Sequence, residues 1–263
     1  MRAARFQSIE RSEVALPEGP ARLISVGSGD TTVLFFPALG DAAAAYAEVM
    51  VSLGTSCRTV AVDPPGYGML APESPLPFSA LRTWARALCE HVPGDKILVG
   101  NSVGGALAAA GAAAPHVRGL VLMGWPTTTQ LLPTPCVLLP DNEEALLHLL
   151  KRTWATPPTL GPSARRILLE SLSTPAFAAH AHSFEPAAFV EDLARWRGPL
   201  HFVAGCQDGL VPLAAMQDCA AAHPGSQLLE LDACGHYPHR EQPGTLSRWL
   251  HQLVASSALL ETS

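Results

Sequence analysis

A doubly wound α/β sheet is the fold class this sequence predicts, and three observations point to it. Short apolar runs alternate with helix-period stretches. Several of those runs are apolar at nearly every position, as parallel strands covered on both faces are. The alternation then breaks once, in a way that suggests an insertion into a sheet. In chain order, strands are expected over Arg22–Val26, Thr32–Phe36, Arg58–Val62, Lys96–Gly100, Arg118–Gly124, His201–Gly205 and Gln227–Asp232. Helices are expected between them over Ala44–Leu53, Ser79–His91, Val103–Ala114 and Pro212–Ala222, with a last one over Leu246–Leu260. In that last helix Leu246, Trp249, Leu250 and Leu253 form one apolar stripe, and Arg248 and Gln252 lie off it. From Trp125 to about Gly198 no strand is legible. A Pro/Thr-rich entry leads instead into helical pieces near Glu143–Trp154, Ser163–Ser171 and Pro186–Trp196. The chain is therefore expected to consist of a core, residues 1–125 and 198–263, and a helical cap, residues 126–197.

Composition narrows the function classes. The 263 residues are 48% hydrophobic and 15% charged, which excludes a disordered chain and leaves ample length for a large core. The net charge is −6 and Lys and Arg are nowhere concentrated, so a small molecule is expected as partner and nucleic acid is not. The uncharged runs 97–117 and 119–140 are long enough to span a bilayer, but the first holds Asn101, Ser102, Gly104, Gly105 and Pro115 and the second Pro126, Pro133 and Pro135. Both read as buried strand with loop or helix, and no membrane insertion is expected. No apolar signal core follows Met1, so a cytoplasmic location is the expectation. The six cysteines, Cys57, Cys89, Cys136, Cys206, Cys219 and Cys234, show neither CxxC pairing nor a zinc spacing, and are read as free thiols. No metal and no cofactor are expected; in particular, no glycine-rich phosphate loop follows the first strand. Oligomeric state is not legible.

The strongest local signal is Lys96-Ile97-Leu98-Val99-Gly100-Asn101-Ser102-Val103-Gly104-Gly105-Ala106, a buried strand running into GxSxG and then a small-residue helix. A serine at so sharp a strand-to-helix turn exposes its hydroxyl at the carboxyl edge of the sheet, and the flanking glycines avoid collisions across the turn. The following helix aims free N–H groups and its positive end at the same place. Serine needs a base to act as a nucleophile, and the base needs an orienting acid. Asp208 lies in the loop after the strand Phe202–Gly205, and His236 in the loop after the last strand. Among ten histidines His239 is the nearest rival, read as a rim or surface residue, and Asp232 is the alternative acid.

These segments resemble the α/β-hydrolase superfamily over nearly the whole chain. Gly205-x-x-Asp208-x-x-x-Pro212 resembles its acid segment, and Gly235-His236-x-x-x-x-Glu241-x-Pro243 its histidine segment. Asp63-x-x-Gly66-x-Gly68 resembles its turn after the fourth strand, with Leu70 where a serine is common. The resemblance implies a mostly parallel sheet of about eight strands with a helical cap after the sixth. It implies Ser102 as nucleophile, His236 as base and then acid, and Asp208 as orienting carboxylate. It also implies an oxyanion hole made by the N–H groups of Val103 and Ala38. The family usually has His-Gly where this chain has Phe36-Pro37; proline lacks an N–H, but the donor is the next residue.

Phe36, Pro37, Leu39, Asn101, Trp125, Leu210 and Tyr237 are expected to line the pocket. A mainly apolar acyl or aromatic substrate fits a cap rich in Leu, Ala, Phe and Pro. Arg152, Arg165 and Arg166 are read as a solvated helix face, with a carboxylate site as the alternative. The expected activity is hydrolysis of a carboxylic ester, thioester or lactone through an acyl-enzyme. Two alternatives stay open: a non-hydrolytic lyase, epimerase, cyclase or acyltransferase of this fold, and a carbon–carbon bond hydrolase, suggested by the Gly100-Asn101-Ser102 wording. A ligand-binding protein without turnover is disfavoured by an intact Ser, Asp and His.

Overall fold

The computed structural model describes residues 8–67, 75–125 and 138–259. Eight strands form one sheet: β1 Glu10–Val14, β2 Ala21–Val26, β3 Thr31–Phe36, β4 Arg58–Asp63, β5 Asp95–Asn101, β6 Val117–Met123, β7 Leu200–Gly205 and β8 Leu228–Leu231. Their spatial order is β1-β2-β4-β3-β5-β6-β7-β8. The β1–β2 and β2–β4 pairs are antiparallel and all others parallel. The fold class read from the sequence is the one observed.

The central strands β3, β4 and β5 are buried on both faces, which is why they read as continuous apolar runs. β1 was not legible. It is the polar sequence ERSEV on the sheet's edge, nearly all exposed, and only pairing with β2 identifies it as a strand.

Helices cover both faces. α1 (Ala47–Leu53), preceded by a 3₁₀ turn at Ala43–Tyr46, and the C-terminal α10 (Pro243–Leu259) pack on one. There Leu246, Leu250 and Leu253 join Val33, Phe35 and Val99 in one core. On the other face α2 (Phe78–His91) and α3 (Val103–Gly111) pack together, with α8 (Leu213–Ala221) beside β7. α2 buries Phe78, Leu81, Trp84, Ala85 and Leu88, a helix-period stripe that meets the apolar α3 over the sheet.

Among the described residues, four helices come between β6 and β7: α4 (Glu143–Thr153), α5 (Pro162–Leu172), α6 (Pro175–His182) and α7 (Pro186–Arg195). α4 starts where Asn142 Oδ1 accepts from the Ala145 N–H at 2.9 Å, with Glu143 and Glu144 in its first turn and Lys151 and Arg152 in its last, each complementing the helix dipole. α6 was missed by sequence reading. Thr174 caps it and Pro175 opens it, but its Ala/His composition carries little apolar period. The Pro/Thr-rich entry to this insertion, with Cys136, lies outside the described residues, as do Gly68 and Leu70 of the turn after β4. No helix among the described residues is long and apolar enough to cross a membrane.

The chain leaves β3 towards β4 on one side and enters β5 on the other, so a switch point lies between β3 and β5 at the carboxyl edge. In open α/β sheets that is where ligands bind. The loop after β3 and the turn after β5 meet there.

Candidate active site

Ser102 follows the last residue of β5 and precedes the first of α3, with φ 54° and ψ −127°. A non-glycine residue at positive φ is strained by about 1–3 kcal/mol and persists only where its surroundings fix it. Here they do. The Ser102 N–H donates to the Met123 carbonyl at 2.9 Å, and its own carbonyl accepts from Gly105 at 2.7 Å. The flanking glycines are sterically required: a Cβ on Gly100 would stand 2.2 Å from the Gly104 carbonyl oxygen, and one on Gly104 2.2 Å from that of Phe36. The turn is thereby pressed against the loop after β3.

His236 and Asp208 meet as the sequence suggests. Asp208 Oδ1 accepts from the N–H groups of Leu210 (2.8 Å) and Val211 (3.0 Å), which leaves Oδ2 on His236 Nδ1 at 2.7 Å. Both side chains are 2% exposed. A carboxylate only accepts, so Nδ1 donates and Nε2 is left as the ring's acceptor. Asp232 is exposed and lies outside this contact. Gly124, just beyond β6 at φ +54°, is part of the arrangement: a Cβ there would stand 3.0 Å from His236 Nδ1 and 3.3 Å from Asp208 Oδ2.

The insertion holds the same two loops. The His236 N–H donates to the Thr153 carbonyl at the end of α4 (2.6 Å), and Gly209 and Arg152 exchange hydrogen bonds at 2.8 Å or less. Glu241 accepts from the N–H groups of Gly235 (2.9 Å) and Ala155 (2.8 Å). Arg152 therefore ties α4 to the acid loop instead of facing solvent alone. Arg165 pairs with Glu143 and Arg166 lies near Glu170, both on the surface.

A cavity of about 330 Å³ opens over Ser102 and His236. Ala38, Leu39, Leu210 and Tyr237 line it as expected; its far wall is Leu146, Leu150, Leu160, Leu168, Leu172 and Phe177 from the insertion. Trp125 and Val103 line a second, small cavity of about 30 Å³ that also reaches Ser102. Three expected pocket residues lie elsewhere. The Phe36 ring is wholly buried in the core beneath the sheet, because its strand position points it inwards. Pro37 is buried and borders neither cavity. Asn101 is also buried, and its Nδ2 donates to the carbonyls of Met123 (3.1 Å) and His236 (3.0 Å), joining β5 and β6 to the histidine loop.

Among the described residues no acceptor takes the N–H of Ala38 or of Val103. Val103 is the first residue of α3, where a helix leaves its N–H groups free. Among the described residues no cluster of His, Cys, Asp and Glu has the makings of a metal site. Cys234, two residues before His236, is buried, and burial, with Glu241 and Asp208 nearby, pushes its thiol up to about 12.

His239 is not a surface residue. It is fully buried; its Nε2 lies 2.8 Å from Asp41 Oδ2, and its ring stacks on Tyr46 at 4.1 Å. Nothing local in the sequence announces this contact.

Residues 33–249 match the model of the alpha/beta hydrolase family. The chain belongs to that family. It is 30% identical over 225 residues to the pimeloyl-[acyl-carrier protein] methyl ester esterase of Aromatoleum aromaticum, an alignment covering 72% of this chain and 84% of that one. The fold is shared with a serine hydrolase from the polyaromatic hydrocarbon-degrading Cycloclasticus zankles (TM-score 0.74, 19% identity, 94% of this chain and 98% of that one). It is also shared with a meta-cleavage product hydrolase from Pseudomonas fluorescens IP01 (TM-score 0.73, 21% identity, 94% and 98%).

For this alpha/beta hydrolase the close approach at Gly104 makes a direct prediction. Gly104→Ala sets a Cβ against two backbone carbonyls, those of Phe36 and Pro37, neither of which can rotate away. Its urea unfolding midpoint is expected to fall by the equivalent of about 1–3 kcal/mol. Gly161→Ala, with nothing within 4 Å and only the N-cap preference of α5 to lose, is expected to cost less, about 0.5–1 kcal/mol.

Proposed function

We propose that this protein is a serine esterase, cleaving a carboxylic ester of an apolar, medium-length acyl chain through an acyl-enzyme on Ser102. The observation that carries this reading is the strained Ser102, opening on a leucine-lined cavity together with a His236 whose tautomer Asp208 fixes. Ser102 attacks the ester carbonyl and passes its proton to His236 Nε2. The N–H groups of Ala38 and Val103 stabilise the oxyanion, His236 then protonates the leaving alkoxide, and water resolves the acyl-enzyme. The segment between β6 and β7, called a cap over 126–197 from the sequence, supplies the acyl wall through its described residues 138–197.

Ester chemistry is favoured by the relative, whose name makes it a methyl ester esterase. Thioesters and lactones present the same carbonyl to the same groups and are the natural extension. The apolar wall favours a hydrocarbon chain: each buried methylene contributes about 0.8 kcal/mol, close to fourfold in kcat/KM. A cavity of about 330 Å³ is at the small end for ligand pockets, so that gain ends at medium chain length.

The test is intact-mass labelling with a fluorophosphonate, followed by a series of p-nitrophenyl esters from acetyl to dodecanoyl. A single adduct, absent in Ser102→Ala, and kcat/KM rising with chain length to a medium-length maximum are expected. No adduct on folded protein would overturn the reading. Leu168→Trp, on the half-buried cavity wall, is expected to cut kcat/KM for the octanoyl ester at least about tenfold and to leave the acetyl ester within about threefold. Equal losses on both esters would remove the cavity from the acyl role.

A further inference from the structure

The loops that supply the oxyanion donor and the base hang from strands that are not neighbours. Ala38 follows β3 and His236 follows β8, and β5, β6 and β7 lie between them. The sheet ladder alone leaves the distance between those loops to whatever bridges them. One carboxylate does so. Asp41 Oδ2 takes the His239 Nε2–H at 2.8 Å, and Oδ1 takes the Ala42 N–H at 2.8 Å and a guanidinium N–H of Arg240.

Each end of this bridge is rigidly joined to a reacting group. On one side the Asp41 N–H donates to the Ala38 carbonyl at 3.0 Å, closing a tight turn through Gly40 at φ +75°, so the position of Asp41 sets the peptide planes around Ala38. On the other side His239 lies in the single turn of α9 (Pro238–Glu241), where Arg240 and Glu241 both donate to the Tyr237 carbonyl at 2.9 Å. The Tyr46 ring stacked on His239 donates its hydroxyl to the Phe36 carbonyl (3.3 Å), at the start of the same oxyanion loop.

We propose that Asp41 and His239 are positioning residues, a second His–Asp pair that sets the separation between the Ala38 N–H and His236. The proposal rests on the esterase reading above. His239 does not act as a second base: it borders neither cavity at Ser102, and its buried Nδ1 has no partner among the described residues. The pair is a neutral imidazole donating to an ionised carboxylate. Burial alone would raise the Asp41 pKa, but the hydrogen bonds from His239 and Arg240 and the Arg240 charge outweigh it and hold the group at about 2. Burial also lowers the pKa of His239, against the opposing pull of the Asp41 carboxylate.

Two substitutions separate the hydrogen bond from the packing. His239→Phe keeps a ring to stack on Tyr46 and deletes the donor; His239→Gln deletes the ring and keeps an amide donor that reaches the same carboxylate. Active sites are counted by fluorophosphonate titration, and kcat, KM and the inhibition constant of an alkylboronic acid are measured per titrated site. The boronate's tetrahedral adduct places an oxygen in the oxyanion hole and so reads its geometry. His239→Phe is expected to lose about 10- to 100-fold in kcat, the range of a hydrogen bond to a charged group, with KM within about threefold. Its boronate affinity is expected to fall by a similar factor, while His239→Gln stays within about fivefold of the parent. Asp41→Asn, which cannot accept on both sides, is expected to lose about tenfold. A His239→Phe protein as active per site as His239→Gln, or an Asp41→Asn protein with unchanged kcat, would overturn the positioning role. Failure of the parent protein itself to take up the fluorophosphonate would instead sink the esterase reading on which this one stands.

Discussion

Ser102→Ala is expected to lower ester turnover by on the order of 10⁴-fold or more, with no loss of fold and little loss of ligand affinity. On the proposed mechanism the magnitude follows from deleting the atom that would form the acyl bond, which leaves the rest of the site to act on a substrate nothing attacks. The fold should tolerate it. Alanine keeps the Cβ already present at φ 54°, and the two backbone bonds that hold the turn, Ser102 N–H to Met123 and Gly105 N–H to Ser102, need no side chain. Binding should also persist, because the wall of the cavity is leucine from the insertion. Steady-state turnover, thermal unfolding and binding of a non-hydrolysable alkyl ether analogue check the three parts. More than about a hundredth of parental activity would remove Ser102 from the nucleophile role.

The second large effect is Asp208→Asn, expected to cost about 10³- to 10⁴-fold in kcat with KM little changed. Leu210 and Val211 donate to Oδ1, so an asparagine is held with its carbonyl oxygen there and its NH₂ towards His236. An amide N–H in place of Oδ2 turns His236 Nδ1 into the acceptor. The ring proton then moves to Nε2, the atom that takes the proton of Ser102 in the proposed mechanism. Asp232→Asn, at an exposed residue whose backbone carbonyl accepts from Gln242, is expected to leave kcat unchanged. Comparing the two variants in one assay decides between the acids the sequence offered.

Read in sequence, the proposed reacting groups are conspicuous for a local reason. A GxSxG turn carries its meaning within five residues, because the glycines are demanded by atoms next to them: Gly100 by the carbonyl of Gly104, for example. Strands buried on both faces announce themselves as apolar runs, and from their ends the loops of Asp208 and His236 can be placed. β1 escaped because an edge strand facing water has no burial to record in its composition. α6 escaped for want of apolar period.

The pocket was legible only as a composition. The richness of the insertion in leucine foretold an apolar wall, but not that Leu146, Leu168 and Leu172 would face Ser102 while Phe36 turned into the core and Asn101 became a strap between strands. Which side of an element meets a cavity depends on how the insertion docks, and docking is a sum of many distant contacts.

What the sequence determined by itself was the doubly wound sheet, the strand-to-helix turn at Ser102, and the loops in which Asp208 and His236 stand. Each follows from forces acting between near neighbours: backbone sterics, burial period and turn chemistry. What only the tertiary structure decided was the set of long-range bonds that make those loops one site. Asp208 meets His236 across 28 positions and Asn101 straps the His236 carbonyl across 135; Asp41 reaches His239 across 198. Pairings at such separations are fixed by where the sheet order and the insertion bring the chain together; the first was foreshadowed by the resemblance of the two segments, and no stretch of neighbouring residues carries a trace of the other two.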